Sequence, residues 1–325
     1  MGQVVVLGGT GHIGAAIARA FAADGADVVA VGRSAEPRAN LAGTTVVQRA
    51  GDDRQAAQLA GWCAQAEVIV DAATPYPLWR HGAEVRGVVA DARRRMAQVI
   101  RAAQQADAAL VHISSFTTLP PSGSVQDRMR LATLRGMHPY FELKEKVEQD
   151  VRAALRSGLR GAVVNPSACF GPYDLKAAEQ AYIPMLLAGK VAGTLRHRMN
   201  VVDVRDVARG VTALVAGGYR APQLPIFGHN IRVDELSEQI CDMAGVPAPR
   251  LKAPLMMTLA GAYWAETAAA MVGRKSAWPS LPMLLTGAGH AVEISPAQQA
   301  LGVAPRALSQ TLADALAWYR QIGRC

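Results

Sequence analysis

Short apolar runs alternate with longer, alanine-rich amphipathic segments through the first half of the 325-residue chain. The apolar runs include QVVVLGG, DVVAVGR, TTVVQRAG, EVIVDAA, ALVHISS and RGAVVNPS. The segments between them, such as HIGAAIARAFAADG and YFELKEKVEQDVRAAL, have the apolar spacing of helices. Apolar strands separated by helices predict a parallel sheet that is covered on both faces. We therefore predict a doubly wound α/β fold, whose ligands bind beyond the C-terminal ends of the strands.

The second half of the chain is richer in Pro and Gly and has fewer apparent strands. Helices are predicted for VRDVARGVTALVAGG, RVDELSEQICDMAG and ALSQTLADALAWYRQIG. The most apolar segment, residues 254–273, consists mainly of Ala, Gly and Thr and contains Glu266. A membrane helix needs about 20 strongly apolar residues, so we expect a buried helix or an apolar pocket wall here and no membrane span.

Composition and charge narrow the classes of partner. The formal net charge is +8, but the basic residues are mostly scattered arginines. The single tight run, Arg93 to Arg95, lies in an alanine-rich helical segment without interleaved aromatic residues, which favours a solvated helix face over a nucleic-acid site. The four cysteines are far apart and predict neither disulfides nor a metal site. We expect a cytoplasmic protein that acts on a small molecule.

A glycine-rich turn, GGTGHIG, joins the first strand to the first helix. Glycines here permit a tight turn and close approach to a pyrophosphate, while the helix N-terminus offers free N–H groups. This context predicts dinucleotide binding by Gly8, Thr10, Gly11, His12, Ile13 and Gly14. We therefore assign residues 1–165 to a Rossmann domain and residues 166–325 to a smaller, mostly helical substrate-binding part, with 199–230 returning to the Rossmann sheet.

The residues after the second strand bear on the choice of cofactor. NAD enzymes of this architecture place an acid there for the ribose 2′-OH, whereas this chain has Arg33 and Ser34. A guanidinium binds a 2′-phosphate in bidentate fashion. This predicts a preference for NADP(H), with NAD(H) as the alternative cofactor. Asp52 and Asp53, after the third strand, either accept hydrogen bonds from the adenine amino group or cap the next helix.

Several motifs in series resemble those of the extended short-chain dehydrogenase/reductase family, often labelled NAD-dependent epimerase/dehydratase. They are GGTGHIG, IVDAAT, VHISS, Tyr140-x-x-x-Lys144 and NPSACFGPYD, in that order. The resemblance covers nearly the whole chain. The apolar, proline-rich C-terminal part looks most like the dihydroflavonol-reductase and 3β-hydroxysteroid-dehydrogenase branches.

The resemblance implies catalytic roles for three residues. Tyr140 would be the general acid/base, Lys144 its electrostatic partner and a contact of the nicotinamide ribose, and Ser115 the hydroxyl that holds the substrate oxygen, with Ser114 and Thr117 as alternatives. A phenol has a pKa of about 10, and a neighbouring ammonium favours the phenolate. We therefore expect Lys144 to lower the pKa of Tyr140.

The resemblance also extends the cofactor site and shows departures from the family pattern. It places Ala72, Ala73 and Thr74 after the fourth strand, and Pro166 and Ser167 after the sixth, against the cofactor. His138 and Asp127 precede Tyr140 and are candidates to face the substrate. The asparagine that many relatives have near position 91 or 92 is absent, and Asn165 stands where many have arginine.

Three functions are compatible with these residues. The leading hypothesis is an NADP(H)-dependent oxidoreductase that acts on a hydrophobic carbonyl or secondary alcohol. The second is a nucleotide-sugar epimerase or dehydratase with tightly held NAD, which would need cations such as Lys190, Arg196 and Arg198 for a diphosphate. The third, a non-catalytic dinucleotide sensor, is disfavoured because the tyrosine and lysine are intact. Analogy with relatives also predicts a homodimer, and no nucleic-acid partner is expected.

Overall fold

The sheet predicted from the apolar runs is present in the computed structural model, which describes residues 2–82, 85–120, 124–176, 181–289 and 291–325. The strands of the first half are β1 (Gln3–Leu7), β2 (Asp27–Gly32), β3 (Val47–Ala50), β4 (Ala66–Asp71), β5 (Ala109–Ile113) and β6 (Gly161–Pro166). Shorter strands follow: β7 (Ala168–Phe170), β8 (Gly193–Leu195), β9 (Arg198–Asp203), β10 (Gln223–Ile226), β11 (His229–Arg232) and β12 (Leu251–Ala253).

Helices separate most of these strands. In the first half they are α1 (His12–Ala23), α2 (Ala56–Cys63), α3 (Val88–Gln105), α4 (Val125–Arg135) and α5 (Pro139–Arg156). The second half contains α6 (Tyr182–Leu187), α7 (Val204–Ala216), α8 (Val233–Ala244), α9 (Leu255–Met271), α10 (Leu281–Ala288), α11 (Pro296–Ala300) and α12 (Leu308–Gln321). Short 3₁₀ helices cover Ala39–Leu41 and Phe116–Thr118.

Seven parallel strands form the main sheet in the order β10-β6-β5-β4-β1-β2-β3. Helices α1 and α7 pack on one face, and α2, α3 and α5 on the other. The strand order reverses between β1 and β4, which is where doubly wound sheets bind ligands. The predicted doubly wound fold is confirmed.

Residues from the second half complete both the main sheet and a smaller layer. Within residues 199–230, β10 pairs with β6 at the edge of the main sheet and α7 packs on its face, whereas β9 lies between β11 and β7 in a three-stranded sheet. Strands β8 and β12 form a separate pair. Among the described residues, no helix is long and apolar enough to cross a membrane.

Two expectations about helix faces are wrong. Arg95 does not lie on a solvated face, because it is 6% exposed and ion-paired beneath α3. Helix α9 is neither a buried helix nor a pocket wall: Trp264 is 70% exposed, and no residue of α9 is among the described residues that line the main cavity. Helix α9 instead buries Glu266, which pairs with Arg80 and accepts hydrogen bonds from Ser280.

Candidate active site

The glycine turn is shaped by close backbone contacts. Gly8 has a φ of +73°, and a Cβ added there would lie 2.7 Å from the carbonyl oxygen of Ala72. A Cβ on Gly14 would lie 2.2 Å from the carbonyl oxygen of Gly8. Only glycine fits these positions, which bring β1, β4 and the start of α1 together and leave the first N–H groups of α1 open at the strand ends. The residues present fit a pyrophosphate at this cradle.

The loop after β2 is held by one side chain of β3. The amide of Gln48 donates to the carbonyl oxygens of Ser34 and Glu36 and accepts from the N–H of Arg38. Arg33 is exposed at the end of β2, and the Nε of Arg38 is buried without a partner among the described residues. Two guanidinium groups therefore belong to one fixed loop, and Arg38 was missed although it follows Arg33 by only five positions.

The two aspartates after β3 have different partners. Asp52 binds the side chain and the N–H of Arg54, and these hydrogen bonds lower the pKa of Asp52 to about 2. Asp53 is ion-paired with Arg95 at 2.6 Å. Neither caps α2, whose N-cap residue is Gln55. The capping alternative is therefore wrong.

Two predicted cofactor contacts carry buried hydroxyls without a partner among the described residues. They are Thr74, after β4, and Ser167, after β6. Buried hydroxyls are ordinarily hydrogen-bonded, so both groups fit a ligand that runs across the strand ends. Ala73 lies in the turn after β4, where its N–H contacts Asp71 at 3.4 Å.

A cavity of about 1140 Å³ lies beyond the C-terminal ends of β1, β4, β5 and β6. It brings together most of the predicted site: Gly11, His12, Ile13, Gly14, Ala72, Thr74, Ser115, Tyr140, Lys144, Pro166 and Ser167. Gly8, Thr10, Ala73, Arg33, Ser34, Asp52 and Asp53 do not line it and lie nearer the strand ends of β1 to β4. His12 contacts the carbonyl oxygen of Pro172 at 3.1 Å.

Tyr140 is a buried phenol at the start of α5. Its residue is 4% exposed, and this burial raises the pKa of Tyr140 to about 12, against a smaller lowering by Ser115. The expected lowering by Lys144 is wrong in this structure. The ammonium of Lys144 instead contacts the carbonyl oxygens of Ile113 and Ser114 at 3.2 and 3.4 Å. Tyr140 therefore holds its proton at neutral pH.

The hydroxyls of Ser114, Ser115 and Thr117 differ in their hydrogen-bond partners. Ser114 donates to Glu148 at 2.5 Å. Thr117 donates to the Oγ of Ser115 through its hydroxyl at 2.9 Å and through its N–H at 3.2 Å. Because a hydroxyl has two acceptor lone pairs and one donor, the O–H of Ser115 is left to donate toward Tyr140, whose pKa it lowers. The geometry favours Ser115 over Ser114 and Thr117.

Lys144 lies near a buried charge network that the sequence analysis missed. Burial lowers the pKa of Lys144 to about 8, although Asp71 and Glu148 raise it. Asp71 is fully buried and binds Arg95 at 2.7 Å and the Nδ1 of His112 at 2.9 Å. Burial alone would raise the pKa of Asp71, but Arg95 and His112 hold it well below its ordinary value.

Glu148 and Asn165 are at the centre of a second buried hydrogen-bond network behind the site. The Asn165 amide donates to Glu148 at 2.9 Å and to the carbonyl oxygen of Ser115 at 3.1 Å. Arg152 pairs with the other oxygen of Glu148 at 2.7 Å. Asn165, which stands where many relatives have arginine, thus fixes the backbone of the Ser115 turn.

The residues next to Tyr140 have positioning contacts. His138 is the N-cap of α5, and its Nδ1 accepts from the N–H of Tyr140 at 3.1 Å. His138 does not line the cavity, so the expectation that it faces substrate is wrong. Asp127 belongs to α4, but its side chain lies outside the described part of the chain. Tyr76, which the sequence analysis missed, packs edge-on against the Tyr140 ring, with 5.4 Å between the two ring centroids.

Known proteins are similar to this chain over its whole length. A candidate dihydroflavonol 4-reductase of Synechocystis sp. is 28% identical, over 98% of this chain and 94% of the relative. Sterol demethylase protein B of Methylococcus capsulatus is 26% identical, over 98% of both chains. The crystal structure of PA4631, a nucleoside-diphosphate-sugar epimerase from Pseudomonas aeruginosa, has 22% identity and a TM-score of 0.75, over 99% of this chain and 98% of the other.

The family model described as the NAD dependent epimerase/dehydratase family matches residues 4–223, which is more than half of the chain. This match spans the glycine turn, the tyrosine and lysine of α5 and the strand ends around the cavity. It confirms the resemblance drawn from the motifs. The chain therefore belongs to the NAD dependent epimerase/dehydratase family of extended short-chain dehydrogenases/reductases and is an NAD(P)-dependent oxidoreductase.

Proposed function

We propose that the chain is an NADP(H)-dependent reductase of hydrophobic carbonyl compounds, or of the matching secondary alcohols in the reverse direction. The observation that carries this proposal is that Ser115, Tyr140 and Lys144 line the same cavity as a largely apolar substrate wall. That wall includes Phe116, Leu119, Leu131, Phe170, Phe227 and Leu285. Sites of this kind, apolar with a few convergent polar groups, bind small organic ligands.

The cavity residues would hold a nicotinamide, which when bound would supply the hydride chemistry at the carbonyl carbon. Tyr140, whose pKa is about 12, holds its proton at neutral pH and gives it to the substrate oxygen as negative charge develops there. The O–H of Ser115 donates a second hydrogen bond to the same oxygen. Lys144 places a positive charge behind this pair. In the reverse reaction Tyr140 would have to lose its proton before it could accept one from the alcohol.

The dinucleotide would lie across the strand ends, from the glycine turn to Ser167. Gly8, Gly11 and Gly14 would approach its pyrophosphate, and the unpartnered hydroxyls of Thr74 and Ser167 would bind its nicotinamide half. Thr10, His12 and Ile13 complete the turn. Ala72, Ala73 and Pro166 would contact the cofactor through their backbones.

The preference for NADP(H) is supported by the loop that Gln48 holds. Arg33, Ser34 and Arg38 would surround the 2′-phosphate, and the buried Nε of Arg38 gains an acceptor there. Asp52 would remain the group nearest the adenine, since Asp53 is ion-paired with Arg95.

The three cations predicted to bind a sugar diphosphate are absent from the described lining of the cavity. Lys190, Arg196 and Arg198 are exposed, and none of them lines it. Lys176 is the one lysine besides Lys144 in the described lining. A neutral apolar carbonyl therefore fits this cavity better than a nucleotide sugar.

The catalytic assignment is tested with a pair of matched phenol variants. Tyr140→Phe should lower turnover of an apolar ketone with NADPH by about 100- to 10,000-fold, the usual contribution of a general acid, while the dissociation constant for NADPH stays the same. Tyr76→Phe removes the other phenol beside the same ring and should retain most turnover. Equal losses in the two variants, or turnover of nucleotide sugars without added cofactor, would refute the assignment.

The cofactor preference is tested separately with Arg33→Asp and Arg38→Gln. Each should raise KM for NADPH by about tenfold or more, since a charge-assisted hydrogen bond contributes about 1.5–3 kcal/mol. KM for NADH should stay the same or fall in Arg33→Asp, which makes NADH the internal control. A wild-type protein that already prefers NADH would contradict the assignment of this loop.

A further inference from the structure

Helix α9 presents an apolar face to solvent. Met257, Gly261, Trp264, Ala268 and Met271 follow one another at spacings of four, three, four and three residues, which places them on one side of the helix. All five are exposed, with Met257 at 72%, Trp264 at 70% and Met271 at 84%. A helix on the surface of a globular protein ordinarily turns its polar face outward.

The opposite side of α9 is also reversed from the usual arrangement, because it buries a charged residue. Leu259, Ala262 and Glu266 are its buried residues. Glu266, the acidic residue of the helix, points inward to Arg80 and Ser280, and so its charge is neutralised beneath the surface. The polar groups of α9 are therefore used for internal contacts, and its outer face retains none of the charge that keeps exposed helices in water.

More exposed apolar side chains occur in the sequence just before and just after the helix. Leu251 precedes α9 and is 62% exposed, while Val272 and Trp278 follow it at 69% and 58%. Large exposed apolar patches mark interaction sites. We call the set formed by Leu251, Met256, Met257, Trp264, Met271, Val272 and Trp278 the α9 face.

The sequence around α9 is mainly basic, although Lys252 is ion-paired with Asp234 and with the partly exposed Glu238. From residue 243 to residue 292 the sequence contains a single acidic residue, the buried Glu266. Four basic residues occur in the same stretch, with Arg250 and Lys252 before α9, and Arg274 and Lys275 after it. Arg250 and Arg274 are exposed, and Lys275 lies over the ring of Trp79 at 4.5 Å.

Apolar side chains with tryptophans, bordered by the exposed basic residues Arg250 and Arg274, match the surface of an anionic lipid bilayer. Tryptophan prefers the level of the lipid headgroups. We propose that the α9 face docks the protein on anionic membranes, with Trp264 and Met271 inserted at the interface and Arg250 and Arg274 against the headgroups. A second copy of the chain would bring the same positive charges together, which disfavours a self-association through this face.

In the docked orientation α10 and the cavity would lie directly behind α9 as seen from the lipid. Helix α10 packs against α9 through Leu259, Leu281 and Leu284, and Pro282, Leu285 and Thr286 of α10 line the cavity. If the proposed apolar substrate is correct, it would be drawn from the bilayer beside this wall. Docking itself does not require the proposed reaction.

Sedimentation with vesicles tests the docking. The full chain should sediment with vesicles of mixed phosphatidylcholine and phosphatidylglycerol, more weakly with phosphatidylcholine alone, and less as salt is raised. Trp264→Ser should weaken binding at least about tenfold through lost apolar burial. Arg250→Glu/Arg274→Glu should weaken it by more than about fivefold per site, the share of one basic residue near an anionic surface.

Matched controls separate this face from general stickiness. Met243→Ser on α8 and Arg220→Glu, between α7 and β10, alter exposed residues of the same types and should bind vesicles like the wild type. Brominated phosphatidylcholine should quench tryptophan fluorescence in the wild type and less in Trp264→Phe/Trp278→Phe. Equal vesicle binding by Trp264→Ser and Met243→Ser would overturn the docking. So would a dimer in sedimentation equilibrium that Trp264→Ser dissociates while vesicle binding is absent.

Discussion

Replacing Arg95 with methionine is the sharpest test of the buried charge network. The guanidinium of Arg95 donates to Asp71 at 2.7 Å and to Asp53 at 2.6 Å. Methionine keeps much of the length and apolar contact of the side chain but removes the charge. Asp71, which is fully buried, would then keep only the ring of His112 and the distant N–H of Ala73 as partners.

The size of the effect follows from the burial of both partners. Arg95 is 6% exposed and Asp71 is 0% exposed, so solvent screening is weak. Removing one partner of a buried ion pair costs about 3–5 kcal/mol, because the other charge is left uncompensated. The entropy of unfolding scales to about 0.7 kcal/mol per kelvin for a chain of this length. The Tm of Arg95→Met should therefore fall by about 4–7 °C.

Thermal unfolding of three variants decides the matter. Arg93 is two positions earlier on the same helix and makes a bidentate pair with Asp150, but it is half exposed, and Arg93→Met should cost less than about 1 kcal/mol. Asp71→Leu/Arg95→Met removes both charges and should recover much of the loss. Equal Tm values for Arg95→Met and Arg93→Met would refute the importance of the buried network.

Three further predictions concern the turn and helix α5. Gly14→Ala should abolish cofactor binding, because its Cβ would lie 2.2 Å from the carbonyl oxygen of Gly8. Gly61→Ala, in open space on α2, should bind cofactor normally and raise the free energy of unfolding by up to about 1 kcal/mol. Titration with NADPH compares the cofactor affinity of the two variants. Burial lowers the pKa of His138 to about 4. Its contribution to the free energy of unfolding is therefore fully present above pH 6.5 and is lost as the pH falls toward 4. In denaturant titrations, His138→Asn should reduce the loss of unfolding free energy over this pH range by about 3 kcal/mol. Asp71→Asn removes a charge that raises the pKa of Lys144, so the alkaline limb of the kcat/KM profile should move to lower pH.

The central strands of the main sheet could be predicted because they are buried on both faces. Val4 to Leu7 and Ala109 to Ile113 are apolar almost throughout, and such runs read clearly in the sequence. The strands of the second half are three to six residues long and are set by pairing with distant partners, as when β11 joins β9 and β12 joins β8. No local sequence pattern predicts these short strands.

The site shows the same division between local and distant causes. The glycine turn and the tyrosine–lysine pair are short motifs in fixed local settings, so the sequence identifies them. Arg95 looked solvated because it belongs to a basic run on an alanine-rich helix, while its partner Asp71 is 24 positions away at the end of β4. Burial also determines the pKa of Tyr140, and burial is a property of the packed chain that residue spacing does not contain.

The pKa of Lys144 is affected by both buried charge networks, the one around Asp71 and the one around Glu148. Burial alone lowers its pKa, and the carboxylates of Asp71 and Glu148 oppose that loss of charge. Each carboxylate has its own cation, Arg95 for Asp71 and Arg152 for Glu148, so neither is free to form a full ion pair with the lysine. The result is an ammonium whose pKa is about 8, lower than that of an exposed lysine.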